Sequence, residues 1–100
     1  MIDLIFLLGA EMDIQTTFNR LEESQEGRGY LFMQTLDATP TLLRNNPQMG
    51  ARSDEPYRRL LMPRFPFGIF YEIQASRLVI AAIMDLRQSP KAIRRRLFGN

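Results

Sequence analysis

The segment from Leu78 to Leu86 is apolar on both strand alternations, with Leu78, Ile80, Ala82, Met84 and Leu86 on one and Val79, Ala81 and Ile83 on the other. A strand sends successive side chains to opposite faces, so a segment of this kind is stable only when both faces are covered. It belongs at the centre of a sheet or in the wall of a cleft. The rest of the chain must supply apolar cover, and its 100 residues are enough for one ordinary domain, spanning 1–100, with a single core.

That cover is legible upstream. Residues 2–8 are Ile, Leu and Phe around Asp3 and end at Gly9, a short strand pattern. From Ala10 the period lengthens: Ala10, Ile14, Phe18 and Leu21 fall on one helical stripe, with acidic residues in the first turn and an end near Gln25. After Gly27 and Gly29, Phe32, Leu36 and Leu43 continue at near-helical spacing. Pro40 falls inside that pattern, where it removes the hydrogen bond to the Leu36 carbonyl and crowds the preceding turn, so a kink or break is expected. The two helices predict a hairpin with one apolar seam toward a sheet.

Gln48 to Pro56 is polar and reads as a surface loop. Strands resume with Tyr57 to Met62 and with Phe67 to Ile73, where Phe67, Ile69, Tyr71 and Ile73 share a face; Pro63 and Pro66 are expected at strand ends or an edge. Gln74, Ala75 and Ser76 form a short polar connection into Leu78 to Leu86, and Ser89-Pro90 opens a short basic helix from Lys91 to Phe98.

Charge is divided unevenly along the chain. Residues 1–56 hold four Lys+Arg and nine Asp+Glu, and residues 57–100 hold nine and two, so a net −5 front half meets a net +7 back half. Such asymmetry steers partners. The chain has no cysteine and no histidine, which removes the thiolate nucleophile, the sulfur and imidazole metal ligands, and the usual acid–base side chain near neutral pH. No metal and no cofactor are expected. The apolar opening run lacks a basic n-region and is too short for a secretory h-region, and no segment has the length of a membrane span, so no membrane partner and a cytoplasmic location are expected.

Specific phrases now stand in order. Tyr57-Arg58-Arg59-Leu60-Leu61, then Arg64-Phe65-Pro66-Phe67-Gly68-Ile69-Phe70-Tyr71, then Val79 to Arg87-Gln88-Ser89-Pro90, together resemble the RelE and ParE family of bacterial toxins. The front half is similar to it as well, through Gly9-Ala10-Glu11-Met12-Asp13-Ile14, Gly27 and Gly29, and Asn46-Pro47 followed by Gly50. The resemblance covers nearly the whole chain and leans to the ParE branch. It implies an α+β two-layer fold in the order β-α-α-β-β-β with a short C-terminal helix, an antiparallel sheet carrying the N-terminal helical hairpin on one face. It implies the toxin component of a type II toxin–antitoxin system, a plasmid stabilisation protein held in a hetero-oligomer by the acidic C-terminal segment of a cognate antitoxin. ParE-like members inhibit DNA gyrase without hydrolysis, which is the reading taken, and RelE-like members cleave messenger RNA on the ribosome; the alternatives are that RelE-like activity or an inactive relative that only binds antitoxin. The chain departs from the RelE pattern by ending Arg94-Arg95-Arg96-Leu97-Phe98 with no Tyr or His, and by Asp85 where many relatives carry histidine.

The candidate partner- or target-binding residues divide into a strand-rim group, Arg58, Arg59, Arg64 and Arg87, and a tail group, Lys91, Arg94, Arg95 and Arg96. Guanidinium forks suit carboxylate and phosphate oxygens in pairs, whereas edge arginines also simply discourage strand pairing. Arg87 is placed on the face of Val79, Ala81, Ile83 and Asp85, within reach of Asp85 for an ion pair. The tail cations also complement their own helix dipole, and removal of the tail is expected to leave the fold intact. No catalytic set is assigned; the RNase alternative would use Arg58, Arg64, Asp85 and Arg87, with Asp85 as base. Tyr71 is read as packing with its hydroxyl at the rim.

Overall fold

The computed structural model describes residues 2–99; Met1 and Asn100, the ends of the expected 1–100 domain, lie outside the described residues. The elements run β1 (Asp3–Phe6), α1 (Leu8–Ser24), α2 (Arg28–Asp37), α3 (Thr39–Asn45), β2 (Ala51–Arg52), β3 (Arg58–Leu61), β4 (Phe67–Gln74), β5 (Arg77–Asp85) and α4 (Pro90–Phe98). The strands form one sheet in the order β1-β5-β4-β3-β2. The α+β two-layer architecture with a helical hairpin on one face is as expected. The sheet is mixed, however: β1 lies parallel to β5, while β2, β3, β4 and β5 pair antiparallel.

The doubly apolar strand β5 does receive cover on both faces. Ala10, Phe32 and Leu36 of the hairpin pack on Leu78, Ile80 and Ile83 together with Ile69 and Tyr71 of β4. Across the sheet, Ile93 and Leu97 of α4 close over Phe70, Ala82 and Met84. Removal of the tail would therefore uncover apolar surface, contrary to the expectation that it leaves the fold intact.

The face assignment within β5 differs from simple alternation. Phe70 pairs with Ala82 but Tyr71 pairs with Ile80, so Ala81 is an extra residue on β5. A bulge of this kind reverses the parity of every later side chain. Leu78 and Ile80 thus share the hairpin face with Ile83, and Ala82 and Met84 turn to α4. In β4, Phe67, Ile69 and Tyr71 share the hairpin face as the alternation predicts.

Local rules account for the helices. Pro40 sits in the first turn of α3, so the expected break falls just before it, between Asp37 and Thr39. The α1–α2 turn is held by Glu22, whose carboxylate accepts hydrogen bonds from the Gly27 and Gly29 amides at 3.2 and 2.8 Å. Gly29 must lack a side chain, since a Cβ there would lie 2.8 Å from the Phe18 carbonyl oxygen. Ser89 accepts from the Ala92 amide and caps α4, with Pro90 in its first turn. The loop read from Gln48 to Pro56 contains the two-residue strand β2, which pairs with Arg58 and Arg59.

Candidate functional site

The C-terminal end of β5 opens into a cleft of about 600 Å³, walled by α1 on one side and by the segment from Asp85 to Gln88 on the other. The cleft exists because β1 stops early: its last partner on β5 is Ile80, and no strand pairs the outer side of β5 beyond that point among the described residues. The Asp13 carboxylate meets the exposed edge, accepting from the Ile83 amide at 3.0 Å. The same oxygen accepts from Arg96 of α4 at 2.9 Å. Arg96 crosses over Gly9, where a Cβ would come within 2.8 Å of its Nη2. Gly9 is thus part of the first turn of α1 and not a strand terminator; its bare backbone lets the guanidinium through.

Asp85 and Arg87 face this cleft. Arg87 donates to the Asp85 carboxylate through Nε at 3.0 Å and Nη2 at 2.7 Å, and its backbone amide donates at 2.9 Å. The pair expected from their spacing is therefore present, but β5 ends at Asp85, so Arg87 reaches back from the turn that follows instead of continuing the strand face. The Arg87 hydrogen bond holds the Asp85 carboxyl below the ordinary carboxylate range, and Asp85 in turn raises Arg87. Such a carboxylate is a poor proton acceptor. Thr16, Thr17 and Arg20 of α1 complete the opposite wall; Arg20 is the one cation there with neither a hydrogen bond nor an ion pair among the described residues.

The strand-rim group is dispersed. Arg58 and Arg59 are adjacent on β3 and face opposite sides of the sheet, opposite Tyr71 and Phe70 respectively. Arg58 Nη1 donates to the carbonyls of Gln48 and Gly50, at 3.2 and 2.9 Å, and so closes the loop between α3 and β2. Arg59 is exposed. Arg64 occupies the β3–β4 turn with φ 70°, and shares an end of the sheet with Arg87, since Phe67 pairs with Asp85 and the Leu86 amide donates to Pro66.

The tail group lies on α4, where Arg96 is taken by Asp13 and Arg94 lies 3.6 Å from Asp54. Lys91 and Arg95 are exposed on the outer side with Phe98 beside them. Phe98 is held edge-on against Tyr57, at 5.5 Å between ring centroids. Tyr71 is fully buried rather than at the rim. Its hydroxyl donates to the Pro47 carbonyl at 2.7 Å and accepts from the Gly50 amide at 2.9 Å, and burial pushes its pKa up from the ordinary 10.0.

Asp13, Gly9 and Arg20 escape the sequence reading. The Asp13–Arg96 contact spans 83 positions, and an aspartate on the polar side of an amphipathic helix carries no local mark of a distant partner. Among the described residues no group of three His, Cys, Asp or Glu gathers to hold a metal, and no helix is long and apolar enough to cross a membrane.

No family model matches the sequence, and no curated protein matches it. Among solved structures, the chain is similar to one from the chromosomal ParDE TA system of P. aeruginosa, with 19% identity, a TM-score of 0.76, and coverage of 87% of this chain and 98% of that one. Over most of its length the chain therefore shares its fold with that protein.

Proposed function

We propose that the chain is the toxin half of a type II toxin–antitoxin pair, of the ParE-like kind. It binds an acidic segment of its antitoxin for neutralisation and, when free in the cytoplasm, inhibits DNA gyrase without hydrolysing a substrate. The observation that carries this reading is the fold match over almost the whole length of a ParDE-system chain. The distribution of charge supports it, because Arg59, Arg64, Lys91 and Arg95 stand exposed on the basic half and suit carboxylate-rich partners.

Three of the four side chains that the RNase reading would use, Arg58, Asp85 and Arg87, are otherwise engaged. Asp85 is held as an anion by Arg87, and Arg58 is spent on two loop carbonyls. With no histidine in the sequence, the arrangement favours recognition by charge over proton transfer.

The test is a supercoiling assay with purified toxin, released from its antitoxin, added to gyrase. Loss of supercoiling in proportion to toxin is expected, and Lys91→Glu is expected to weaken it. Unimpaired gyrase at saturating toxin refutes the target, and ribosome-dependent cleavage of a translated message would instead establish the RelE-like activity.

A further inference from the structure

The cleft at the end of β5 carries an unmatched positive charge. Asp13 is met there by Arg96 and Asp85 by Arg87, and both pairs line the cleft together with Arg20 of α1. Three guanidinium groups against two carboxylates leave a net +1. The remainder is Arg20, which makes no hydrogen bond and no ion pair among the described residues.

Two hydroxyls accompany it. Thr16 and Thr17 precede Arg20 on α1 at the i,i+4 and i,i+3 spacings that make residues neighbours on a helix surface, and both line the same cleft. A threonine inside a helix commonly turns its hydroxyl back to a carbonyl one turn earlier, as Thr35 of α2 does to Leu31 at 2.9 Å. Thr16 and Thr17 make no such bond among the described residues. Two successive β-branched residues in mid-helix also run against local propensity, and such breaches gather where function demands them. From the facing wall, Arg87 gives Nε and Nη2 to Asp85 and keeps Nη1 unengaged, while Gln88 adds a side-chain amide.

Two guanidiniums, two hydroxyls and an amide are more donors than the two oxygens of a carboxylate can use well. A phosphomonoester brings nearly two negative charges and three acceptor oxygens. The cleft, at about 600 Å³, has the size of a small-molecule site rather than of a bare anion. Its wall includes Met12, 62% exposed, whose flexible thioether suits an adaptable apolar contact.

We infer that this cleft seats a small phosphomonoester, with the phosphate between Thr16, Thr17 and Arg20 on α1 and Arg87 and Gln88 after β5, and the organic body against Met12. The inference goes beyond the toxin reading and does not rest on it. A phosphate so placed ties α1 to the turn that leads into α4, and occupancy therefore stabilises the folded chain.

The test titrates the full isotope-labelled chain with adenosine monophosphate, reading the guanidinium Nε–H resonances of Arg20 and Arg87 and the melting temperature. Both resonances are expected to shift and the melting temperature to rise with ligand concentration, whereas adenosine without phosphate should do neither. Arg20→Gln is expected to weaken binding about tenfold with the melting temperature of the free chain unchanged, because Arg20 is exposed and unpaired. Arg77→Gln removes the same charge at the other end of β5 and should leave the affinity as it was. Inorganic phosphate separates the sources: affinity equal to that of the nucleotide supports the seat and names free phosphate as its occupant, and about tenfold weaker binding supports a contribution from the organic body. A dinucleotide, whose phosphodiester has one charge and two terminal oxygens, should bind at least about tenfold more weakly. Equal affinity for the dinucleotide, equal weakening by Arg20→Gln and Arg77→Gln, or no shift at Arg20 with about 10 mM adenosine monophosphate overturns the inference.

Discussion

Tyr71→Phe separates a structural hydroxyl from a catalytic one. The Tyr71 side chain is fully buried and its hydroxyl serves the Pro47 carbonyl and the Gly50 amide at once. Phenylalanine keeps the ring packing and strands both groups. The Gly50 amide is buried, and a buried donor left unmet costs about 1–3 kcal/mol. The Pro47 carbonyl is only partly buried and can turn to water, adding at most about 1 kcal/mol. A loss of about 2–3 kcal/mol in a domain of this size lowers the melting temperature by roughly 10–20 °C. Urea denaturation and calorimetry measure it, with the slope against urea unchanged. The mutant has a second signature. Because burial raises the folded pKa of Tyr71 above its ordinary 10.0, its contribution is whole below that value and is lost as pH rises through the higher folded pKa; this component of alkaline destabilisation disappears in Tyr71→Phe. Growth arrest well below the melting temperature should survive. A mutant as stable as the parent, or one equally stable but inactive, refutes the assignment.

Gly29→Ala is expected to destabilise by about 1–3 kcal/mol through the Cβ contact with the Phe18 carbonyl, although alanine in an exposed helix would gain about 1 kcal/mol; thermal melting gives the sign. Asp13→Ala leaves the Ile83 amide unmet and frees Arg96, so a loss of about 1–2 kcal/mol should come with faster hydrogen exchange throughout α4, and unchanged α4 protection would refute the clasp. Asp85→Asn should alter stability little near neutral pH, since the pair is exposed. With its folded pKa depressed, Asp85 contributes above its unfolded pKa and ceases to do so as pH falls through the lower folded value; parent and mutant acid-unfolding curves therefore converge at low pH.

Much of this protein is determined by its sequence alone, because local periods report local burial. The double apolarity of Leu78 to Leu86 demanded cover on two sides, the stripe of Ala10, Ile14 and Leu21 named one cover, and Pro40 located the break between α2 and α3. The Asp85–Arg87 pair was legible too, because residues two apart lie within reach of each other, although β5 ends at Asp85 and Arg87 sits in the turn that follows rather than on the strand. Only the tertiary structure decided the rest. A single extra residue at Ala81 exchanged the faces of everything after it, and alternation cannot announce a bulge between small apolar residues. The parallel pairing of β1 with β5 joins segments distant in sequence. The arginines that sequence grouped by spacing were sorted by long-range partners: Arg58 to loop carbonyls, Arg96 to Asp13, Arg94 to Asp54, with Arg59 and Arg64 left exposed. A charge run is written in the sequence, but which of its members are already neutralised depends on carboxylates and carbonyls that only the folded chain brings within hydrogen-bond reach.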